Sequence, residues 1–170
     1  MKILIVGAGG IGGYYGAKLM LAGADITYLL REKRQAHIQK HGLVVETAKG
    51  EITVHPNTVT AKELTPIYDL IILAPKAFDL EDALQSIAGA SSQGVILPFL
   101  NGLAHIEKLD QHFGKDRVMG GVAHIAATIT ESGSVKQLTD LHLLTVGARS
   151  PQHEALAKAF YELCKAADFD

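Results

Sequence analysis

A chain of 170 residues is long enough for one domain, and its 48% of apolar residues can build a sizeable core. The 16 Lys and Arg residues nearly balance the 18 Asp and Glu residues, which leaves a net charge of -2. Because no block of like charge stands out, nucleic acid and anionic membranes are poor candidates for partners, and small ligands are better ones. The single cysteine, Cys164, cannot form an internal disulfide, which favours a reducing compartment such as the cytoplasm.

The N-terminal segment predicts neither a signal peptide nor a membrane span. Its apolar run, residues 3–6, is short and leads directly into glycines, and Lys18 interrupts the next apolar segment. We therefore expect a cytoplasmic protein that does not enter a membrane.

The first elements predict a β-α-β unit. Residues 3–6 are apolar and rich in β-branched side chains, which is typical of a strand buried on both faces. A helix is predicted over residues 14–22, ended by Gly23, and residues 26–30 predict a second strand. When its two strands lie in one sheet, such a unit is parallel and crosses over right-handedly.

The middle of the chain predicts further helices and strands. We expect a short polar helix over residues 32–41 and a hairpin that pairs residues 43–46 with residues 52–55. Two apolar strands, residues 70–74 and 95–99, are each followed by a helix with an apolar stripe. The first stripe consists of Leu80, Ala83, Leu84 and Ile87, and the second of Leu103, Ile106 and Leu109.

The C-terminal part has a different pattern. Residues 122–129, 134–138 and 141–146 predict strands with turns between them, and hence an antiparallel edge. A last helix carries, at helical spacing, Leu156, Ala159, Phe160 and Leu163. Cys164 lies on the same stripe and is expected to be a small buried residue. The whole pattern predicts one α/β domain over residues 1–170, a Rossmann-type, mainly parallel, doubly wound sheet with an antiparallel C-terminal edge.

A glycine-rich motif links the first strand to the first helix. Its sequence, Gly7-Ala8-Gly9-Gly10-Ile11-Gly12, matches G-x-G-x-x-G in the strand–turn–helix context that a dinucleotide-binding loop requires. Gly7 would permit the tight turn, Gly9 would let a pyrophosphate approach the backbone, and Gly12 would let the helix pack closely on the sheet. The N–H groups and positive dipole end of the helix would then meet the pyrophosphate. A glycine-rich turn without a ligand is the less favoured alternative.

The end of the second strand indicates which dinucleotide binds. An NAD site usually has Asp or Glu there, bonded to the ribose 2′-hydroxyl, whereas this strand runs into Arg31. The nearest acid before it, Asp25, stands at the other end of the strand. The planar, permanently charged guanidinium of Arg31 suits a 2′-phosphate, and Lys33 or Arg34 could add charge. We therefore predict NADP(H) rather than NAD(H); the alternative is a solvated arginine at a helix start.

Four features follow one another along most of the chain. They are the run from Lys2 to Gly12, Arg31 after the second strand, Lys76 after Leu73-Ala74-Pro75, and Asn101-Gly102 after the strand that starts at Val95. In this order and spacing they resemble the N-terminal domain of the ketopantoate reductase (2-dehydropantoate 2-reductase) family.

The resemblance implies a set of residue roles and a reaction. The glycine loop and Arg31 would hold NADPH. Lys76 would lie near the nicotinamide, and Asn101 would contact cofactor and substrate. We assign both Lys76 and Asn101 to the cofactor and to the substrate. An alanine in the strand after Gly120-Gly121 contacts the cofactor in this family, and Ala126 matches it here. The implied reaction is hydride transfer from NADPH to the keto carbon of 2-dehydropantoate, which gives pantoate for pantothenate biosynthesis.

The sequence pattern alone also places Lys76 and Asn101 where a ligand would bind. Each follows an apolar strand and would stand at the carboxyl end of a parallel strand, where ligands bind in open α/β sheets. The alternatives are a solvated lysine at a helix start and an ordinary Asn-Gly turn.

By the same resemblance, the family's catalytic lysine and a substrate-binding carboxylate belong to a second, mostly helical domain that would follow residue 170. We therefore expect no catalytic residue in this chain, and cofactor binding without appreciable turnover. Half of a cleft cannot desolvate a small 2-keto acid or place a proton donor at its oxygen. Two alternatives stay open: a reductase of another small 2-keto acid, and a non-catalytic module that senses NADP(H).

No metal site is predicted. His37 and His41 are spaced as in zinc-binding helices, but the Glu of H-E-x-x-H is missing between them. A solvated helix face is the simpler interpretation.

Overall fold

The fold contains two β-sheets, and the first of them is parallel. The computed structural model describes residues 1–75, 79–88 and 92–169. The strands of the first sheet are β1 Lys2–Val6, β2 Asp25–Leu29, β5 Asn57–Val59, β6 Leu70–Leu73 and β7 Val95–Pro98. They lie in the order β5-β2-β1-β6-β7, and each neighbouring pair is parallel. The predicted Rossmann-type sheet is confirmed.

Helices cover both faces of the parallel sheet. They are α1 Gly10–Leu21, α2 Glu32–His41, α3 Leu80–Ser86, α4 Ala104–Phe113 and α5 Glu154–Ala166. The fully buried Ile5 belongs to a core that includes Tyr15 of α1, whereas its neighbour Leu4 belongs to a second core that includes Leu84 of α3. Because successive side chains of a strand point to opposite faces, these two cores lie on opposite sides of the sheet, which is therefore doubly wound.

The second sheet joins two hairpins that are far apart in sequence. Its strands are β3 Leu43–Thr47, β4 Gly50–Val54, β8 Gly120–Ile129 and β9 Val135–Gly147, in the order β4-β3-β9-β8. The pairs β3–β4 and β8–β9 are antiparallel. The parallel pair β3–β9 joins the hairpins through Val45 opposite Val135 and Glu46 opposite Lys136.

The C-terminal ribbon, which β8 and β9 form, differs from the prediction in two ways. It starts beside β7, where the Met119 N–H donates to the Ile96 carbonyl at 2.9 Å, but it then continues into the second sheet. The two strands predicted over residues 134–138 and 141–146 are one strand, β9. The register of the β8–β9 pair shifts at Ala126. The residues between the two predicted strands therefore form an irregularity within β9 and not a turn.

The predicted helical stripes are confirmed in part. The first stripe is buried, with three residues in α3 and Ile87 at its C-cap. Leu109 of α4 and Phe160 and Cys164 of α5 are buried as well. Leu103 does not fit its stripe, because it stands at the N-cap of α4 and is 82% exposed. Ala159 is also exposed. Within the described ranges, no helix combines the length and apolar character needed to cross a membrane.

Candidate functional site

The predicted site residues follow strands that end together at one edge of the parallel sheet. Leu29 of β2, Val6 of β1, Leu73 of β6 and Pro98 of β7 form one row of register partners. The chain leaves these strands toward Arg31, the glycine loop, Pro75 and Asn101, respectively. Ligands of open α/β sheets bind at this carboxyl edge.

The glycine loop makes a sharp turn between β1 and α1. Gly7 has φ of +93°, a conformation that side chains other than glycine rarely adopt, and its N–H donates to the Leu29 carbonyl at 3.1 Å. A Cβ atom at Gly12 would clash with the Gly7 carbonyl oxygen and would also crowd Ile5 of β1. These two glycines are therefore required for the turn and for the close approach of α1 to the sheet.

The start of α1 is open at Gly9. Gly9 is the N-cap residue and has no side chain to bond the N–H groups of the first turn, and no acidic residue lies in that turn. A Cβ atom at Gly9 would meet nothing within 4 Å. The loop thus offers free N–H groups, the positive end of a helix dipole and open space, which is the arrangement that an anion needs.

Two side chains, one from β2 and one from α2, donate hydrogen bonds to the backbone of the loop. The buried Tyr28 hydroxyl donates to the Gly12 carbonyl at 3.0 Å. Arg34, in the first turn of α2, donates to the Ala8 carbonyl at 3.0 Å and to the Gly133 carbonyl, in the β8–β9 turn, at 2.7 Å. Burial raises the pKa of Tyr28 and lowers that of Arg34. Both side chains are therefore committed to backbone carbonyls, including Arg34, which the sequence suggested as a source of extra charge for a phosphate.

Arg31 stands at the predicted place, but it is paired with acids that the sequence analysis missed. It is the N-cap residue of α2, and its side chain is 76% exposed. Its Nη2 lies 3.4 Å from Asp79 Oδ1 and 3.2 Å from Asp82 Oδ2. These carboxylates stand at the start of α3, which begins beside Arg31. The acid absent from the end of β2 is thus supplied from a distant part of the chain.

Ala126 reaches the loop from the second sheet. β8 passes β7 at Gly121, where a Cβ atom would lie 2.5 Å from the Pro98 carbonyl oxygen. Six residues later it reaches the glycine loop, because a Cβ atom at Gly10 would lie 2.5 Å from the Ala127 carbonyl oxygen. Ala126, half-buried at the register shift, lies just before that contact. The structure therefore brings Ala126 close to the start of α1.

The two residues assigned to the substrate side have different outcomes. Asn101 is exposed three residues beyond β7, and Gly102 after it has φ of +82°, which is consistent with a turn. Lys76 lies outside the described residues, although Pro75 before it is placed directly beyond β6. Their roles stay predictions.

Other candidate features do not belong to the glycine loop. A surface cavity of about 600 Å³ lies along the later part of α1, lined by Tyr14, Lys18 and Leu21 among others, and not by the glycine loop. The rings of His37 and His41 lie 5.0 Å apart. The residues that the structure describes include no group of three or more His, Cys, Asp or Glu side chains that could hold a metal ion.

Comparison with known proteins gives the family. The sequence profile of the ketopantoate reductase PanE/ApbA family matches residues 3–151. The chain is a member of the ketopantoate reductase family.

Relatives in this family are about twice as long as the chain. An uncharacterized oxidoreductase of Bacillus subtilis, YkpB, is 37% identical over 165 residues, which cover 94% of the chain and 54% of that protein. A 2-dehydropantoate 2-reductase of Pyrococcus horikoshii is 34% identical over 137 residues, covering 80% of the chain and 44% of that protein. The chain therefore spans about half the length of the relatives that it matches.

Solved structures share the fold over the whole chain. A 2-dehydropantoate 2-reductase from Geobacter metallireducens superposes with a TM-score of 0.88 at 31% identity, covering 100% of the chain and 56% of that protein. D-mandelate dehydrogenase in a ternary structure with NADH and anilino(oxo)acetate superposes with a TM-score of 0.85 at 26% identity, covering 100% of the chain and 55% of that protein.

Proposed function

We propose that the chain is the NADP(H)-binding half of a ketopantoate-reductase-type oxidoreductase. The observation that carries the proposal is the glycine loop, which combines open space at Gly9 with the free N–H groups at the start of α1. Arg31 follows the neighbouring strand at the same sheet edge. The family membership supports a nicotinamide dinucleotide as the ligand, as does the structural likeness to a dehydrogenase that was solved with NADH.

Each part of the site has a proposed task. The N–H groups of residues 9–12 bind the pyrophosphate, and the Arg31 guanidinium bonds the 2′-phosphate through its planar fork. Ala126 lines the cofactor side of β8. When bound, NADPH supplies the hydride for reduction of a keto carbon. Asn101 and Lys76 orient the small 2-keto acid at the carboxyl edge of β7 and β6.

The proposed substrate is 2-dehydropantoate, and its product, pantoate, serves pantothenate biosynthesis. The names of several relatives support this choice. Reduction of another small 2-keto acid is the second candidate, and one observation favours it. The dehydrogenase of similar fold is named for D-mandelate, a 2-hydroxy acid.

The chain is proposed to bind cofactor without completing the reaction. Reduction of a keto acid needs a proton donor placed at the carbonyl oxygen in a site closed to water. The resemblance assigns that donor to a lysine in the half of the relatives that the chain does not match. The enzyme is proposed to work in the cytoplasm.

Cofactor preference tests the assignment of Arg31. We expect the chain to bind NADPH more tightly than NADH in calorimetric titrations. Arg31→Ala should weaken NADPH binding by about 1.5–3 kcal/mol, the range for a charge-assisted hydrogen bond, and should change NADH binding much less. Arg31→Lys keeps the charge but loses the fork, so its NADPH affinity should lie in between. Equal wild-type affinities for the two cofactors would contradict the assignment.

A further inference from the structure

The Arg31 guanidinium is shared between two carboxylates. Both contacts, to Asp79 and to Asp82, use the same nitrogen, Nη2. The side chain of Asp79 is 35% exposed and that of Asp82 is 71% exposed, so solvent reaches the three charges and each pair is individually weak. The formal charges of the three groups sum to one negative charge. The place proposed for a 2′-phosphate is therefore not a simple cationic site.

This arrangement affects the two cofactors differently. A 2′-phosphate adds roughly 1.5–2 negative charges, so it must displace the carboxylates from Arg31 or bind beside them against like-charge repulsion. The 2′-hydroxyl of NAD(H) is neutral and can donate to a carboxylate, as it does in NAD sites that place an acid at the end of the second strand. The same two acids thus oppose one cofactor and accept the other.

We propose that Asp79 and Asp82 determine cofactor specificity, by limiting the preference for NADP(H) that Arg31 creates and by allowing NAD(H) to bind. The inference rests on the proposed function, because it concerns the same dinucleotide site. Both residues act through Arg31 and through the ribose end of the cofactor. Neither belongs to the G-x-G-x-x-G loop.

The helix that carries these acids also carries a matched control. Glu81 lies between them in sequence, but its carboxylate pairs with Lys108 of α4. Asp79 is the N-cap residue of α3 and makes no side-chain capping bond, so Asp79→Asn removes charge without removing a cap. Glu81→Gln removes the same charge from the same turn, away from Arg31.

The experiment measures dissociation constants for NADPH and NADH in the wild-type chain, Asp79→Asn, Asp82→Asn, the double variant and Glu81→Gln. We expect NADPH to bind about two- to fivefold more tightly for each aspartate replaced, the range of exposed charge pairs. NADH should bind equally or less tightly, because a possible acceptor for its 2′-hydroxyl is lost. The ratio of the two constants should therefore shift toward NADPH in the aspartate variants and stay unchanged in Glu81→Gln.

The outcomes separate this inference from the proposed function. If the wild-type chain binds neither cofactor, the proposed function is wrong and the inference falls with it. If it binds them and the ratio does not move in the double variant, only the inference is wrong. An equal shift in Glu81→Gln would also overturn it, because the effect would then come from general charge rather than from the contacts with Arg31. A loss of thermal stability without a change in the ratio would assign these acids a structural role alone.

Discussion

Gly9 and Gly12 belong to one motif, but a side chain would meet different surroundings at each. At Gly12 a Cβ atom would clash with the Gly7 backbone, whereas at Gly9 it would enter open space. The protein itself therefore explains Gly12. It does not explain Gly9, whereas the proposed close approach of a pyrophosphate to the loop backbone would.

Substitution of Gly9 tests that distinction. Gly9→Val should abolish detectable NADPH binding, because its methyl groups fill the space proposed for the pyrophosphate, and should leave the thermal unfolding temperature nearly unchanged. Gly147→Val is the control, since Gly147 also has nothing within 4 Å of its Cβ position but lies in β9, far along the ribbon from the loop. Calorimetric titration and thermal unfolding of both variants check this. Normal affinity in Gly9→Val would show that the motif is only a structural turn.

The positions of single residues could be predicted where a motif and its place in the strand pattern act together. The turn at Gly7 and the place of Arg31 followed from the strand pattern around them. The acids beside Arg31 did not, because Asp79 and Asp82 are 48 and 51 positions away in sequence. Their place could be inferred only from the rule that the loop after β6 opens at the same edge as the loop after β2.

At the scale of elements, Arg34 connects α2 to both the glycine loop and the β8–β9 turn. Two carbonyls from separate segments accept from one guanidinium, at 3.0 and 2.7 Å. A lysine amine at this position is a single point charge and cannot match the fork. The loop geometry therefore depends on a helix that does not belong to the motif.

Arg34→Lys should weaken NADPH and NADH binding to a similar extent, by about 1–3 kcal/mol, because the loop that binds the shared pyrophosphate loses a support. The equal effect distinguishes Arg34 from Arg31, whose replacement should affect mainly NADPH. Lys40→Ala, at an exposed position near the other end of α2, serves as control. Calorimetric titrations of both variants with NADPH and NADH measure these affinities. Unchanged binding by a destabilised Arg34→Lys protein would show that Arg34 has a structural role only.

A second connection between elements predicts a pH dependence. Arg149, after β9, bonds both carboxylate oxygens of Asp110 in α4 at 2.6 and 2.7 Å, and the side chains are only 23% and 22% exposed. These hydrogen bonds hold the pKa of Asp110 below its ordinary value. A group with a lowered folded-state pKa stabilises the fold above its unfolded-state pKa, near 4, and loses that contribution as the pH falls further.

Asp110→Asn should therefore lower the free energy of unfolding by about 1–3 kcal/mol at neutral pH. The difference from the wild type should shrink as the pH falls below about 4, where Asp110 binds a proton in the unfolded chain, and should vanish once the pH is below its lowered folded-state pKa as well. Urea denaturation over this pH range measures it. Glu162→Gln, which removes an exposed pair with Lys165, should cost much less. A difference that stays constant with pH would contradict the assigned role of the carboxylate.

Elements with strong periodicity were predictable, and those that depend on distant pairing were not. The buried strands β1 and β6 and the stripe of α3 follow from local apolar patterns. β5 is three residues long, Asn57-Thr58-Val59, and is a strand because it pairs with β2. β9 is continuous because β8 pairs with it on both sides of Ala126, a constraint that no window of local sequence contains.

At the scale of the whole molecule, the second sheet contacts the glycine loop of the Rossmann-type sheet through Ala127 of β8. The fold class was predictable because apolar strands alternate with amphipathic helices. The joining of β3 to β9 was not, because it depends on two register pairs between segments about ninety residues apart. The sheet that results includes β8, which brings Ala126 close to the glycine loop.

The fluorescence of reduced nicotinamide tests the central proposal most directly, because one signal reports both binding and oxidation. Titration of the chain with NADPH should give a saturable change, and later addition of 2-dehydropantoate should cause no loss of signal, since the proton donor is proposed to lie in the half that the chain does not match. The Pyrococcus horikoshii 2-dehydropantoate 2-reductase is the positive control for oxidation. The absence of saturable binding by the folded chain would contradict the cofactor site. Oxidation at a rate near that of the control would contradict the assignment of the proton donor to the other half.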